Sequence, residues 1–257
     1  YFKLFDDIEY IRLDKNSFEK INIAGKIYDY PIGWDKFGKQ FAQYFPNDIE
    51  VFERYHSYIM DVVNAQSLYS LKQPEQNKSD VTDYFNASAY EVIKSLTSNK
   101  DIQNYFAALN FDYAGEKDKT PFYVHALITN YFINSSYRVV GDTDQLADSL
   151  ANSIKENDGV ILKRQKVVKL IFKDKKIIAA ETHTGGIYEA DNFISNIHPA
   201  NTMDLIDEGN IKNIYRKRMK GLTNTISSFA VHIKLKEGGI KYQNYNHQYF
   251  KQNDGIY

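Results

Sequence analysis

The sequence predicts a mixed α/β (α+β) chain: strands first, then a run of helices, then a stretch in which strands and a helix alternate. Three observations predict it. Apolar residues alternate at strand spacing through the first thirty-three positions, recur at helical spacing from Trp34 to Asn134, and form short runs punctuated by Gly and Asp from Tyr137 to Pro199.

In the first stretch Ile8, Tyr10, Ile11 and Leu13 are followed by Phe18, Ile21, Ile23, a turn at Gly25-Lys26, and Ile27, Tyr28, Tyr30. This spacing predicts two or three antiparallel strands closed by Tyr30-Pro31-Ile32-Gly33. Phe37, Phe41 and Phe45 lie on one face of a helix over 34–45. Asn47 is placed to cap the next helix, with Asp48 and Glu50 in its first turn, where the helix dipole favours acids. Its apolar face, Phe52, Tyr55, Ile59, Val62 and Val63, predicts a helix reaching Leu71, followed by a polar loop over 72–80. Two more helices follow, over 83–97 and 100–108. Pro121 then opens PFYVHALITNYFIN, apolar nearly all round, which predicts a helix buried in a core or facing a lipophilic ligand.

From Tyr137 the character changes. A short strand ends at Gly141, a helix follows with Leu146, Leu150 and Ile154 on one face, and Asn157-Asp158-Gly159 closes it. Strands are expected at Val160–Leu162, across the hairpin Val167–Phe172 and Ile177–Glu181, at Ile187–Ala190 and at Asp191–Asn196. A helix over 201–219 and a strand over Ile226–Leu235 precede a polar, Tyr-rich tail.

Composition narrows the function classes. A net charge of -1, with basic and acidic residues interspersed, gives no electrostatic footprint for nucleic acid. Arg216, Lys217, Arg218 and Lys220 read as a solvated helix face. The absence of Cys removes disulfides, thiolate chemistry and Cys-ligated metals, and fits a reducing, cytoplasmic setting. The His residues at 56, 125, 183, 198, 232 and 247 never take a ligand spacing, so no metal site is expected. Asp6 and Asp7 face opposite sides of a strand and read as a solvated edge. Aromatics reach 15%, which suits a core and equally a pocket for a flat or greasy ligand. No nucleophile motif or P-loop is present, and no G-x-G-x-x-G occurs.

Several pieces of the second half occur in one order. They are Tyr137-Arg138-Val139-Val140-Gly141, the helix with Leu146, Ala147 and Leu150, Asn157-Asp158-Gly159, and Val167-Val168-Lys169-Leu170 before a hairpin. Thr184-Gly185-Gly186, Ala190-Asp191 and Ser195-Asn196-Ile197-His198-Pro199 follow. In this order they resemble the FAD-dependent phytoene desaturase, carotenoid isomerase and retinol saturase group of oxidoreductases. Tyr44-Phe45-Pro46-Asn47-Asp48 resembles the group more loosely.

The resemblance implies part of an FAD-binding α/β domain together with a mixed-sheet and helical substrate domain. It divides the chain into 1–134 (substrate domain), 135–200 (returning segment of the FAD domain) and 201–257 (re-entering the substrate domain). It implies FAD as cofactor, with Gly141, Val167 and Asn196 beside it and Val167 next to adenine, and it leaves NAD(P) open. The group has two adjacent glycines where this chain has Gly141-Asp142.

The expected substrate is a long polyene or similar lipophilic molecule, with Tyr123, His125 and Tyr131 lining its pocket and peripheral membrane contact as a corollary. His125 and His198 are also readable as a core histidine and a turn residue. With an abrupt start and no G-x-G-x-x-G, the sequence is expected to be an internal piece of a longer protein, inactive alone. A non-catalytic lipid- or partner-binding module of similar shape remains the alternative.

Overall fold

In the computed structural model, residues 7–66, 82–252 and 255–256 are described. The expected helix end at Leu71, the loop over 72–80 and Asp6 lie outside these residues. The chain divides into two compact units, Tyr1–Thr143 with Thr225–Tyr257, and Asp144–Asn224.

In the first unit, β1 (Tyr10–Arg12) is followed by β2 (Glu19–Ile23) and β3 (Lys26–Tyr30). The β2–β3 hairpin turns through Ala24 and Gly25, whose φ angles of 50° and 93° are the paired positive values of a tight two-residue hairpin turn. Alternation works as expected: Glu19, Ile21 and Ile23 are buried, and Lys20 and Asn22 are half-buried.

Among the described residues, six helices and a 3-10 turn then build the wall behind the sheet. They are α1 (Trp34–Tyr44), α2 (Ile49–Ala65), α3 (Thr82–Asn86), α4 (Ala89–Leu96) and α5 (Lys100–Ala107), the 3-10 turn Ala108–Tyr113, and α6 (Phe122–Asn134). Asp48, not Asn47, occupies the N-cap position of α2. The single helix expected over 83–97 is broken at Ser88, which is extended. Ser88 bridges to Pro121, and the Ala89 N–H donates to Thr120 O (2.8 Å) while the Phe122 N–H donates to Ala87 O (2.8 Å). Those tertiary bonds satisfy the backbone groups that a continuous helix would have paired.

β4 (Tyr137–Val139) returns antiparallel to β1, and β8 (Asn246–Phe250) lies parallel to β2, giving the sheet order β3-β2-β8. The core between sheet and helices is aromatic. Phe106 stacks on Phe41 (centroids 5.3 Å) and on Tyr55 (3.8 Å), and Phe37 meets Tyr30 edge to face (5.2 Å).

The second unit holds α7 (Asp144–Glu156), the three-stranded antiparallel sheet β5 (Val167–Lys173), β6 (Lys176–Thr182) and β7 (Ile187–Glu189), and the short helices α8 (Pro199–Asp204) and α9 (Asn213–Lys220). Asp174 and Lys175, both at positive φ, close the β5–β6 hairpin. Gly159 is demanded by crowding: a Cβ there would sit 2.7 Å from the Ile154 carbonyl oxygen, while the left-handed position of that helix end falls on Asp158.

Four expectations about elements are corrected. Val160–Leu162, Asp191–Asn196 and Ile226–Leu235 are irregular, and the helix expected over 201–219 is two helices separated by Leu205–Lys212. A strand needs a ladder partner, and among the described residues no ladder includes these segments. Their apolar side chains stay in solvent: Val160 is 79% exposed, Ile194 98% and Phe229 92%.

Candidate functional site

Helix α6 is the most apolar element, and two of its faces behave differently. On the inner face His125 is fully buried. Its Nε2 meets the Tyr55 hydroxyl at 2.8 Å and its Nδ1 meets the Tyr113 hydroxyl at 2.8 Å. A neutral imidazole has one N–H and one bare nitrogen, so one tyrosine accepts from the ring and the other donates to it. Burial pushes the His125 imidazole down to about 3, so the ring stays neutral across the physiological range. With both ring nitrogens bonded and no solvent access, His125 ties α6 to α2 and to the 3-10 turn rather than opening onto a cavity.

The outer face carries the other two expected pocket residues. Tyr123 is half-buried with its ring against Phe85 (5.0 Å), and Tyr131 is 47% exposed beside Phe132 (5.7 Å). The structure therefore places Tyr123 and Tyr131 apart from His125. Farther along the same helix, Asn130 accepts from the Trp34 indole N–H (2.9 Å), and Trp34 in turn lies against the His56 ring (4.5 Å).

Of the three residues expected near a cofactor, Gly141 belongs to the first unit and Val167 and Asn196 to the second. Gly141 sits just after β4 at φ 84°, a conformation glycine adopts at no steric cost. Val167 opens β5, the edge strand of its sheet, and pairs with Thr182 across β6. On the outer edge of β5 the Leu170 N–H donates to Leu205 O (2.8 Å). Asn196 is exposed in the irregular run before α8. His198 takes the N-cap position of α8, its Nδ1 accepting from the Ala200 N–H (3.2 Å), and Ser195 Oγ lies 2.8 Å from Thr202 Oγ1. His198 thus takes the turn role, which its position before Pro199 favours.

Two constellations escape a reading of the sequence alone. Tyr55 is visible as a core residue of α2, but its bond to His125 joins positions 70 residues apart. Glu19 is 4% exposed and lies beside Asn246, 227 residues away. Its signal was present, since Glu19 shares the inward face of β2 with Ile21 and Ile23, where a carboxylate is out of place.

No family model matches the chain. Over 172 residues it is 24% identical to the all-trans-retinol 13,14-reductase of Danio rerio, covering 63% of this chain and 28% of that protein. Among solved structures it resembles a protein of Pyrococcus furiosus (18% identity, TM-score 0.56, covering 85% of this chain and 47% of that one). It also resembles an oxidoreductase of Methanosarcina mazei (19% identity, TM-score 0.58, covering 84% and 48%). The chain therefore spans less than a third of the curated relative's length and about half of each solved chain. The mixed α/β fold is shared with these solved chains.

Proposed function

We propose that this chain is part of an FAD-dependent oxidoreductase acting on a long polyene or other lipophilic substrate. The observation that carries the reading is the 172-residue likeness to a retinol reductase. The shared fold with a second oxidoreductase supports it.

The residues present fit only part of FAD. β5 is a sheet edge, and an edge strand offers backbone N–H and C=O groups of the kind an adenine edge can pair with. Val167 would stand there. No run in these 257 residues fits the pyrophosphate, which needs a Gly-rich strand–turn–helix. Bound flavin supplies hydride exchange, while the protein provides position, shape and exclusion of water. In this reading the substrate wall is the outer face of α6 with Tyr123 and Tyr131, and His125 braces that helix from behind. Asn196, in the same unit as Val167, would stand near the cofactor. The two irregular apolar segments of the second unit, Val160–Leu162 and Asp191–Asn196, would become strands of the FAD domain once the rest of its sheet is present.

A lipophilic substrate brings peripheral contact with membranes as part of the proposal. Among the described residues no helix is long and apolar enough to cross one.

The test is purification of the full protein that carries this chain. Visible flavin absorbance that survives gel filtration, and its bleaching or recovery with all-trans-retinol or a carotenoid as the partner, is the expected result. NAD(P)H as the electron donor in the same assay decides whether a nicotinamide takes part. Absence of flavin after reconstitution with FAD, combined with flavin-independent binding of an apolar ligand, would establish a non-catalytic lipid-binding module instead.

A further inference from the structure

The strand that completes the first sheet is held by an unusual group of side chains. β8 lies parallel to β2 with Asn246 opposite Glu19 and Gln248 opposite Ile21. Residues two apart share a face, so Asn246 and Gln248 stand beside the buried Glu19 carboxyl. Asn246 Nδ2 donates to Glu19 Oε2 (3.1 Å), and Arg138 Nη2 on β4 donates to Asn246 Oδ1 (3.0 Å). Arg138 therefore fixes which end of the amide faces the carboxyl, while its own charge stays one residue removed from it. Asp112 lies in the 3-10 turn whose Phe111 ring packs against Phe250 of the same strand (5.5 Å), and the Gln248 side chain stands near both carboxyls. The Gln248 Oε1 atom is buried with no partner among the described residues.

We propose that Glu19, Asp112 and Gln248 form a proton-dependent latch that holds the strand Asn246–Phe250 against Glu19–Ile23. Two carboxyls stand near one neutral amide, and among the described residues neither forms an ion pair. Ionising both sets two like charges near one another, one of them on a buried carboxyl, whereas protonating one removes the repulsion and provides an O–H donor for the unpartnered Gln248 Oε1.

The other groups around Glu19 do not neutralise it. Tyr30, its partner on β3, gives its hydroxyl to the Tyr105 carbonyl, and Lys20 on the opposite face of β2 is paired with Asp29 (2.9 Å). Burial, with Asp112 adding to it, pushes the Glu19 carboxyl up from 4.5 to about 7. Asp112 remains an exposed residue, and partial burial of its carboxyl moves it from 3.8 to about 6. Both folded-state values are raised, so their contribution is fully present below the unfolded values. It is lost as the pH rises through about 6 and then about 7. The latch is closed in mild acid and weakened above neutrality. It stands independently of any flavin or substrate.

Hydrogen exchange of the Asn246–Phe250 amides in the 257-residue chain, corrected for intrinsic rates, tests it at about pH 5.5 and about pH 8. Protection is expected to fall by on the order of 100-fold at the higher pH. The β5–β6 hairpin serves as the internal control. Glu19→Gln, which mimics the protonated acid, is expected to keep protection at the higher pH. Asp112→Asn is expected to remove a smaller share of the pH dependence, and it serves as the deciding variant should Glu19→Gln fail to fold. Equal corrected protection at both pH values in the native chain would overturn the latch. So would an unchanged pH dependence in Glu19→Gln or, failing that variant, in Asp112→Asn.

Discussion

The two compact units hide apolar surface to very different degrees. In the first, Phe18, Ile21, Tyr28, Tyr30, Phe37, Phe41, Tyr55, Ile59, Tyr105 and Phe122 are all buried to within two per cent and belong to one continuous cluster. In the second, the buried apolar cluster consists of Leu170, Met203 and Ile206. Its helix α7 buries nothing, with Leu150 52% exposed and Ile154 45% exposed. Amphipathic pattern alone does not create burial; it creates a face that needs a surface to cover it. Between its sheet and aromatic helices the first unit contains its own covering surface, although its Ile226–Leu235 run stays in solvent. The second presents well-formed elements whose apolar faces look outward.

Five measurements break or sharpen this contrast. The largest effect is expected at the centre of the first core: Phe41→Ala should cost about 3–5 kcal/mol, read by denaturant unfolding with the single Trp34 as the fluorescent probe. A cost below about 1 kcal/mol would mean that this core is far looser than its ring stacking implies.

Acidification comes next. His125 is depressed from 6.5 to about 3 in the folded chain, so its contribution is present above the unfolded value and lost as pH falls from about 6.5 toward 3. A loss of about 3 kcal/mol across that window is expected in Trp34-monitored unfolding, and His125→Phe should flatten it. Glu19 titrates with the opposite sign, so Glu19→Gln should steepen the same acid limb rather than flatten it.

Leu170→Ala, in the small cluster of the second unit, is expected to cost about 2 kcal/mol, read as lost amide protection in β5 and β6. A cost equal to that of Phe41→Ala would erase the distinction between the cores. Asn99 caps α5 by accepting from the Asp101 N–H (3.0 Å). Asn99→Ala should therefore cost about 1 kcal/mol, measured by the same unfolding as Phe41→Ala. The smallest effect is expected at the exposed pair Lys220–Asp204 (2.5 Å): Lys220→Met should change stability by less than about 0.5 kcal/mol, and added salt should not alter the native protein measurably.

Much of the first unit was legible because its signals are local. The Phe37–Phe41–Phe45 stripe, the face of α2 and the hairpin of β2 and β3 follow from spacing alone. The site was less legible. The burial of His125 within an apolar helix could be anticipated, but not that two tyrosine hydroxyls would occupy both of its ring nitrogens, because that depends on how α2 and the 3-10 turn pack. Ile226–Leu235 shows the converse error. Its alternation is a strand pattern, yet an extended segment becomes a strand only when another strand supplies hydrogen bonds, and none among the described residues does.

What the sequence by itself determined is the order and type of most elements, the aromatic character of the first core and the likeness to an oxidoreductase group. These depend on periodicity and residue type within a few turns of chain. The tertiary structure alone decided the parallel seat of Asn246–Phe250 beside Glu19–Ile23, within a tail that read as merely polar. It also decided the break at Ser88 and the enclosure of His125. Each of these joins residues far apart in the chain, where the gain comes from satisfying buried polar groups at a distance, and no local pattern encodes that requirement.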